Sequence, residues 1–550
     1  MSLVDFPSRR NASGWVSSSA PGILSRPTWT ELSEFMFSCA NFMRLLEWMA
    51  ACRTYALVAL AGLVFVPVAR AEEAPSTGAL TARIDRFVEA RLQERGVAPG
   101  AEASEAEFLR RVFLDLAGRI PSVAEARAFF DDTAPDKRAR LVDRLLASPE
   151  YARNFATVWR KAWLPQAETP TFSELSDGYE AWLREELSRE TPYDRMVVRQ
   201  LTASFRPPRP GRPQPARSFL EASQFKPENL AANTTRAFLG LNLDCAQCHN
   251  HPFARWTRDN FWQTAAFFDA SPTGLVIEGT DRAVTPALLT GEAVKWPDAR
   301  EESTGRTVLA SWITSRDNPF FARNAVNRLW AHCFGTGLVE PLDDLSEDNP
   351  AGPVELLGEL AAGFGRAGFD LKLLIRSMVL SRAYQRTSAG RAETAEADGG
   401  SLARMPVRAL SGEQLHNSLL MAAGLPASPA NAGVRSDRGR FVALFRAGRP
   451  SLAERSVSQT LTLYNGTLAT ALTRPETSPI LKAVARSPFL DDAARVDTLY
   501  LATLSRWPDA AERTPLVAYL AEVSGQPDRE RALGNLFWAL INSTEFNSNH

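Results

Sequence analysis

Cys245, Cys248 and His249 form a CxxCH motif, followed directly by Asn250, His251, Pro252 and Phe253. In an exported chain this spacing suits attachment of haem c: two thiols add to the haem vinyl groups and the adjacent imidazole ligates the iron. The chain holds only five Cys and five His in 550 residues, so the cluster concentrates scarce types. A second chemistry fits the same stretch. Cys245, Cys248, His249 and His251 are all metal-ligand types, and His332 or Cys333 could close a tetrahedral zinc site. A plain Cys245–Cys248 disulfide is the third reading, ordinary in an oxidising compartment.

An attached haem also needs an apolar wall and a second axial ligand. Phe253, Trp256, Phe261, Trp262, Phe267 and Phe268 follow the motif, although such a cluster equally suits core packing. No Met lies between Met196 and Met378, so the sixth-ligand candidates are His332, His416, His251 or a Met from elsewhere in the chain. His332 follows Trp330 in an apolar helical pattern; its alternative role is a hydrogen-bonded core histidine. The acidic run 340–349 could bind calcium but lacks EF-hand spacing and reads as a solvated loop. No GxSxG, Walker loop, dinucleotide glycine fingerprint or HExxH occurs, and no catalytic residue is assigned.

The compartment is read from the N-terminus. An uncharged run from Thr54 to Ala69 ends in Ala69-Arg70-Ala71, with Arg44 and Arg53 before it and Glu72-Glu73 after it. This is the pattern of a secretory signal cleaved near Ala71, and the run is too short for a comfortable membrane span. Met43 or Met49 is then the expected start. The expected location is the periplasm or outside the cell, with no membrane span in the mature chain. Cleavage leaves Cys245, Cys248 and Cys333, too few for a disulfide framework, so a hydrophobic core must stabilise the fold. With 62 basic and 63 acidic residues there is no electrostatic footprint for nucleic acid.

Helical periodicity must position the motif. Leu80–Glu94 carries Ile84, Phe87, Val88 and Leu92 near one face. Ser104 with Glu107 reads as a capping box. Further helices are expected over Ser122–Phe130, Asp136–Ala147, Tyr151–Trp163, Ser173–Arg189 and Tyr193–Phe205. Arg206–Pro215 reads as an extended polyproline-like loop, and Thr257–Phe268 as a helix after the motif. Thr273–Trp296, with Gly274, Gly279 and Gly291 among β-branched residues, reads as a small sheet. Helices resume at 304–314, 319–334, 354–366 and 371–383. A linker is expected over 391–401, and helices again over 411–423, 458–472, 479–485, 491–504, 510–523 and 529–543. The class is mostly α: two helical domains with a small β insertion around 273–296.

Ile84-Asp-Arg-Phe-Val, Arg110-Arg-Val-Phe-Leu-Asp-Leu-Ala-Gly118, Leu141-Val-Asp-Arg-Leu-Leu-Ala-Ser-Pro149 and Thr235-Arg-Ala-Phe-Leu-Gly-Leu241, with Cys245–Phe253, resemble the planctomycete cytochrome-like DUF1549 (PSCyt2) domain. Asn324–Val339, Gly368–Arg376 and Leu536–Phe546 resemble its usual partner, DUF1553 (PSD1). The resemblance implies an N-terminal extension and signal over 1–71, a DUF1549-like domain over 80–270, a β-rich connection over 271–302 and a DUF1553-like domain over 303–546. It further implies an exported protein associated with cytochrome-like modules and polysaccharide-use genes, without an established reaction. The separate cytochrome c domain of many relatives is not apparent here. The leading expectation is a c-type haem-like redox protein with Cys245, Cys248 and His249 as attachment and proximal ligand, His332 as distal ligand, and a redox partner or polysaccharide-associated proteins around it. The alternative is a non-redox, metal-stapled interaction or carbohydrate-associated scaffold built on the CxxCHxH cluster.

Overall fold

Apolar residues recurring at three- and four-residue intervals build nearly every element of the computed structural model. It describes residues 74–550 except 170, 210, 212, 270–273, 278, 298–302, 347–348, 350–352, 391–401, 427–435 and 446–455. The signal-peptide reading of 54–71 and the linker reading of 391–401 therefore lie outside the described residues. The class is mostly α. No helix among the described residues is long and apolar enough to cross a membrane.

The N-terminal half runs through helices Thr77–Glu94, Glu105–Val112, Val123–Asp131, Lys137–Leu146, Pro149–Trp163, Glu174–Ser188 and Tyr193–Leu201. Short polar side chains start several of them: Ser76, Ser104, Ser122 and Ser148 each accept a backbone N–H of the first turn. Each such cap is worth about 1 kcal/mol. The reciprocal box expected at Ser104 is only half formed. Glu107 turns away to Arg111 at 2.7 Å and to the backbone N–H of Ser388 at 2.6 Å, spending its carboxylate on a distant segment.

The β insertion is smaller than its glycine-rich stretch suggests. Leu275–Val276 pairs antiparallel with Ala283–Val284, with Leu275 opposite Val284. A second two-stranded pair, unexpected from sequence, joins Arg408–Ala409 to Ser548–Asn549. Two-residue strands carry no readable alternation. The single helix expected over 458–472 is two, Val457–Asn465 and Thr467–Leu472, with extended Gly466 between them. Asp437–Leu444 forms a further helix.

Two apolar clusters hold the molecule together. The larger draws on Leu80 through Met405 and contains Trp159, Trp163, Tyr193, Phe238, Phe321 and Phe364. The Tyr193 ring lies 5.0 Å from Trp159 and 5.1 Å from Phe321, so side chains from both halves of the chain interleave. The smaller cluster gathers Leu410 through Phe546 and takes in Leu114 and Ile120 from the N-terminal half. Residues 73–550 form one compact unit.

Candidate functional site

The segment bearing the motif is set by the element before it. Helix Pro227–Thr234 widens into a π-helical turn over Thr235–Leu239 and stops at Gly240, whose φ is 65°. A Cβ at Gly240 would meet Asn324 Oδ1 and the Leu345 side chain at 2.9 Å, so both the backbone and the space require glycine. The Leu345 N–H donates to Gly240 O at 2.9 Å, pinning the chain as it leaves the helix. Leu241, Leu243 and Ala246 are buried, while Asp244–Gln247 makes one tight turn. Cys245 and Cys248 stand on that turn, exposed and not bonded to each other.

The following loop is clipped on both sides. Trp262 Nε1–H donates to Gln247 O at 3.0 Å, and the His251 N–H donates to Trp256 O at 2.8 Å. Asn250 Oδ1 accepts the Arg258 N–H at 3.0 Å, tying the motif to helix Arg258–Ala265, which begins with a Thr257–Asn260 capping box. Of the aromatic residues expected to wall a haem, Trp256, Phe261, Trp262, Phe267 and Phe268 are buried in the core. Phe253 alone among them faces solvent, at 88 % exposure. Core packing explains five of the six, and the motif itself lies at the surface.

The two histidines of the motif differ in what they can offer. His249 Nδ1 lies 2.7 Å from Asn250 O. A carbonyl only accepts, so Nδ1 carries the proton and Nε2 of the neutral ring keeps its lone pair. That backbone restraint is how a ligating imidazole is commonly oriented. His251 is the reverse: its Nδ1 accepts the Phe253 N–H at 3.3 Å, which leaves the proton of a neutral ring on Nε2. Cys245, Cys248 and His249 thus place two thiols and one imidazole together at the surface.

His332 and Cys333 belong to a different place. Helix Phe321–Phe334 buries Cys333 and half-buries His332, whose Nε2 donates to Asp115 O at 2.9 Å while its ring packs edge-on against Phe155. Burial lowers the His332 pKa, only partly offset by the Asp115 carboxylate, so the ring is neutral. Burial likewise pushes the Cys333 thiol well up, away from the thiolate a metal needs. Among the described residues no three His, Cys, Asp or Glu side chains come together as metal ligands. The closed site that would join Cys245, Cys248, His249 and His251 to His332 or Cys333 is therefore not assembled. For His332, the expected distal ligand, the structure shows Nε2 bonded to Asp115 O. His416 is also buried, beside Phe441 in the smaller core.

The residue that organises this interior was not singled out from sequence. Asp115 is fully buried and accepts from Arg408 Nη2 at 2.8 and 3.1 Å, Tyr384 Oη at 2.7 Å and Asn549 Nδ2 at 2.8 Å. It sits in a second π-helical turn, Phe113–Ala117, closed by left-handed Gly118. Beside it, Arg110 donates to the carbonyls of Thr503 and Phe546, and Arg111 to those of Arg386 and His550. The available signal was a charge inside an apolar run, Phe-Leu-Asp-Leu-Ala, just after an arginine pair.

The family model described as PSCyt2, a protein of unknown function (DUF1549), matches residues 83–273. The model described as PSD1, a protein of unknown function (DUF1553), matches residues 305–439. No curated protein and no solved structure matches the chain.

Proposed function

This chain carries a DUF1549 domain followed by a DUF1553 domain, and from that premise we propose that it is an exported, c-type haem-bearing redox protein. One observation carries the reading: two unpaired thiols and an imidazole with its Nε2 lone pair free share one exposed turn. Cys245 and Cys248 would hold the group as thioethers, and His249 would supply the nitrogen to its iron. The Asn250 carbonyl holds His249 Nδ1–H, leaving the lone pair on Nε2, and Trp262, bonded to Gln247 O, braces the turn. Bound haem supplies one-electron chemistry at iron. The chain's contribution is to hold that group at the surface, where a redox partner, or one from a polysaccharide-associated system, reaches it. The N-terminal signal ending near Ala71 delivers the thiols to the periplasm or beyond, where attachment takes place.

The zinc-stapled scaffold has less support, because His251 in its hydrogen-bonded state offers no lone pair at Nε2 and the distant ligands are engaged elsewhere. Co-expression with c-type maturation machinery separates the two readings. Haem attachment gives a Soret band that stays with the denatured polypeptide and is lost in the Cys245→Ser/Cys248→Ser double variant. A colourless protein with stoichiometric zinc supports the scaffold instead.

A further inference from the structure

A cavity of about 950 Å³ opens between helix Pro149–Trp163, helix Phe321–Phe334 and the segment 408–414, with Asn549 and Phe445 in its wall. It thus brings together residues from both family segments and from the C-terminal end. Its size is that of a small-molecule site, and junctions of this kind are where such sites commonly lie.

The wall offers a hydrogen-bond acceptor at His332. Its Nε2–H is committed to Asp115 O, which leaves Nδ1 of the neutral ring with a lone pair.

The wall carries both signs of charge, Lys161, Arg328 and Arg408 with Glu168, Glu340 and Glu413, and Arg328 is the cation among them without a direct ion pair among the described residues. Arg328 donates from Nε to Asn324 Oδ1 at 2.9 Å and from Nη2 to Arg236 O at 3.0 Å, both neutral acceptors. No carboxylate among the described residues stands within ion-pair distance of it, whereas its neighbour Lys161 is paired with Glu413 at 2.7 Å. A half-buried guanidinium fork with neutral partners is suited to an anionic oxygen. The remaining acceptor, His332 Nδ1, calls for a donor on the same occupant. Hydroxyl groups supply donors without cancelling the negative charge, and the apolar side chains of Phe445 and Leu329 leave room for a carbon skeleton between them.

We propose that this cavity binds a small hydroxylated carboxylic acid, with Arg328 taking the carboxylate and His332 accepting from a hydroxyl. The site is separate from the CxxCH turn and does not depend on haem.

Calorimetric titration of the full chain with D-glucuronate, D-glucose and acetate tests it. Glucuronate saturates, and glucose, lacking the charge, and acetate, lacking the hydroxyls, each bind about tenfold more weakly or worse. Arg328→Gln weakens glucuronate by a similar factor. Should that variant fail to fold, Ala331→Phe, which puts a bulky ring into the cavity wall, weakens binding about tenfold or more in a folded protein. No saturable glucuronate binding at millimolar concentration, equal affinity for glucose, or undiminished binding in the folded variants overturns the proposal.

Discussion

Asp115 shows how much one residue can hold. Its carboxylate neutralises Arg408 in the interior and takes bonds from Tyr384 and Asn549, while its carbonyl fixes Asn154 and His332. Asp115→Ala strands a buried guanidinium, and loss of one partner from such a pair costs about 3–5 kcal/mol. A matching fall in stability by urea denaturation is expected. The histidines and Glu413 set the response to acid. Burial, with Arg438, lowers the His416 pKa to about 4, and burial, with Arg110, lowers that of His550 to about 4. Burial alone would raise Glu413, but the Lys161 ammonium and its hydrogen bond hold it down at about 2. For both histidines the unfolded chain binds more protons between pH 6.5 and about 4, so stability falls as pH falls through that window. Glu413 ionises more readily when folded, and its contribution is lost between pH 4.5 and about 2. Thermal melts from pH 8 downward should show Tm declining from about pH 6.5; a Tm unchanged down to pH 4 contradicts these assignments. At this scale spacing made the Cys245, Cys248 and His249 cluster legible as a motif. The bond from His332 to Asp115 was not legible, because the same apolar helix suits a ligand and a core histidine and the partner lies 217 residues away.

Helices were legible because their period is local. Leu80, Ile84, Val88 and Leu92 lie on one buried face, as their spacing requires. Helix interruptions were not legible, since each depends on a distant neighbour. Gly118 ends one π-helical turn against Asn154, and Gly240 ends the other against Asn324 and Leu345. Glu107 likewise abandons its cap for Ser388 and Arg111, partners that sequence spacing does not reveal. Gly240→Ala should therefore cost about 1–3 kcal/mol through its left-handed backbone and the close approach of Asn324. Because this turn launches the Cys245–His249 segment, the proposed haem attachment should also fall in the variant, measured by absorbance ratio. Unchanged stability would mean that the turn relaxes freely.

The whole molecule departs furthest from what local patterns convey. The family models fall at residues 83–273 and 305–439, yet apolar side chains from both pack into one core. Backbone bonds cross as well, from Tyr193 N to Phe369 O at 3.1 Å and from Ala103 N to Gln385 O at 2.8 Å. Family boundaries follow sequence, whereas packing follows whichever apolar faces meet. A fragment ending at residue 273 would bare Tyr193, Trp163 and Phe238, so it should lack a cooperative thermal transition; a sharp, reversible melt would show that the first segment folds alone. The CxxCH turn stands outside this shared core, on a loop braced from below and open above. Its function is tested most directly by spectroscopy on protein made in cells that export it and mature c-type cytochromes. A Soret band that remains with the polypeptide through denaturing electrophoresis, and disappears when Cys245 and Cys248 are serine, is the expected result. A colourless wild-type protein whose two thiols both titrate as free contradicts the account.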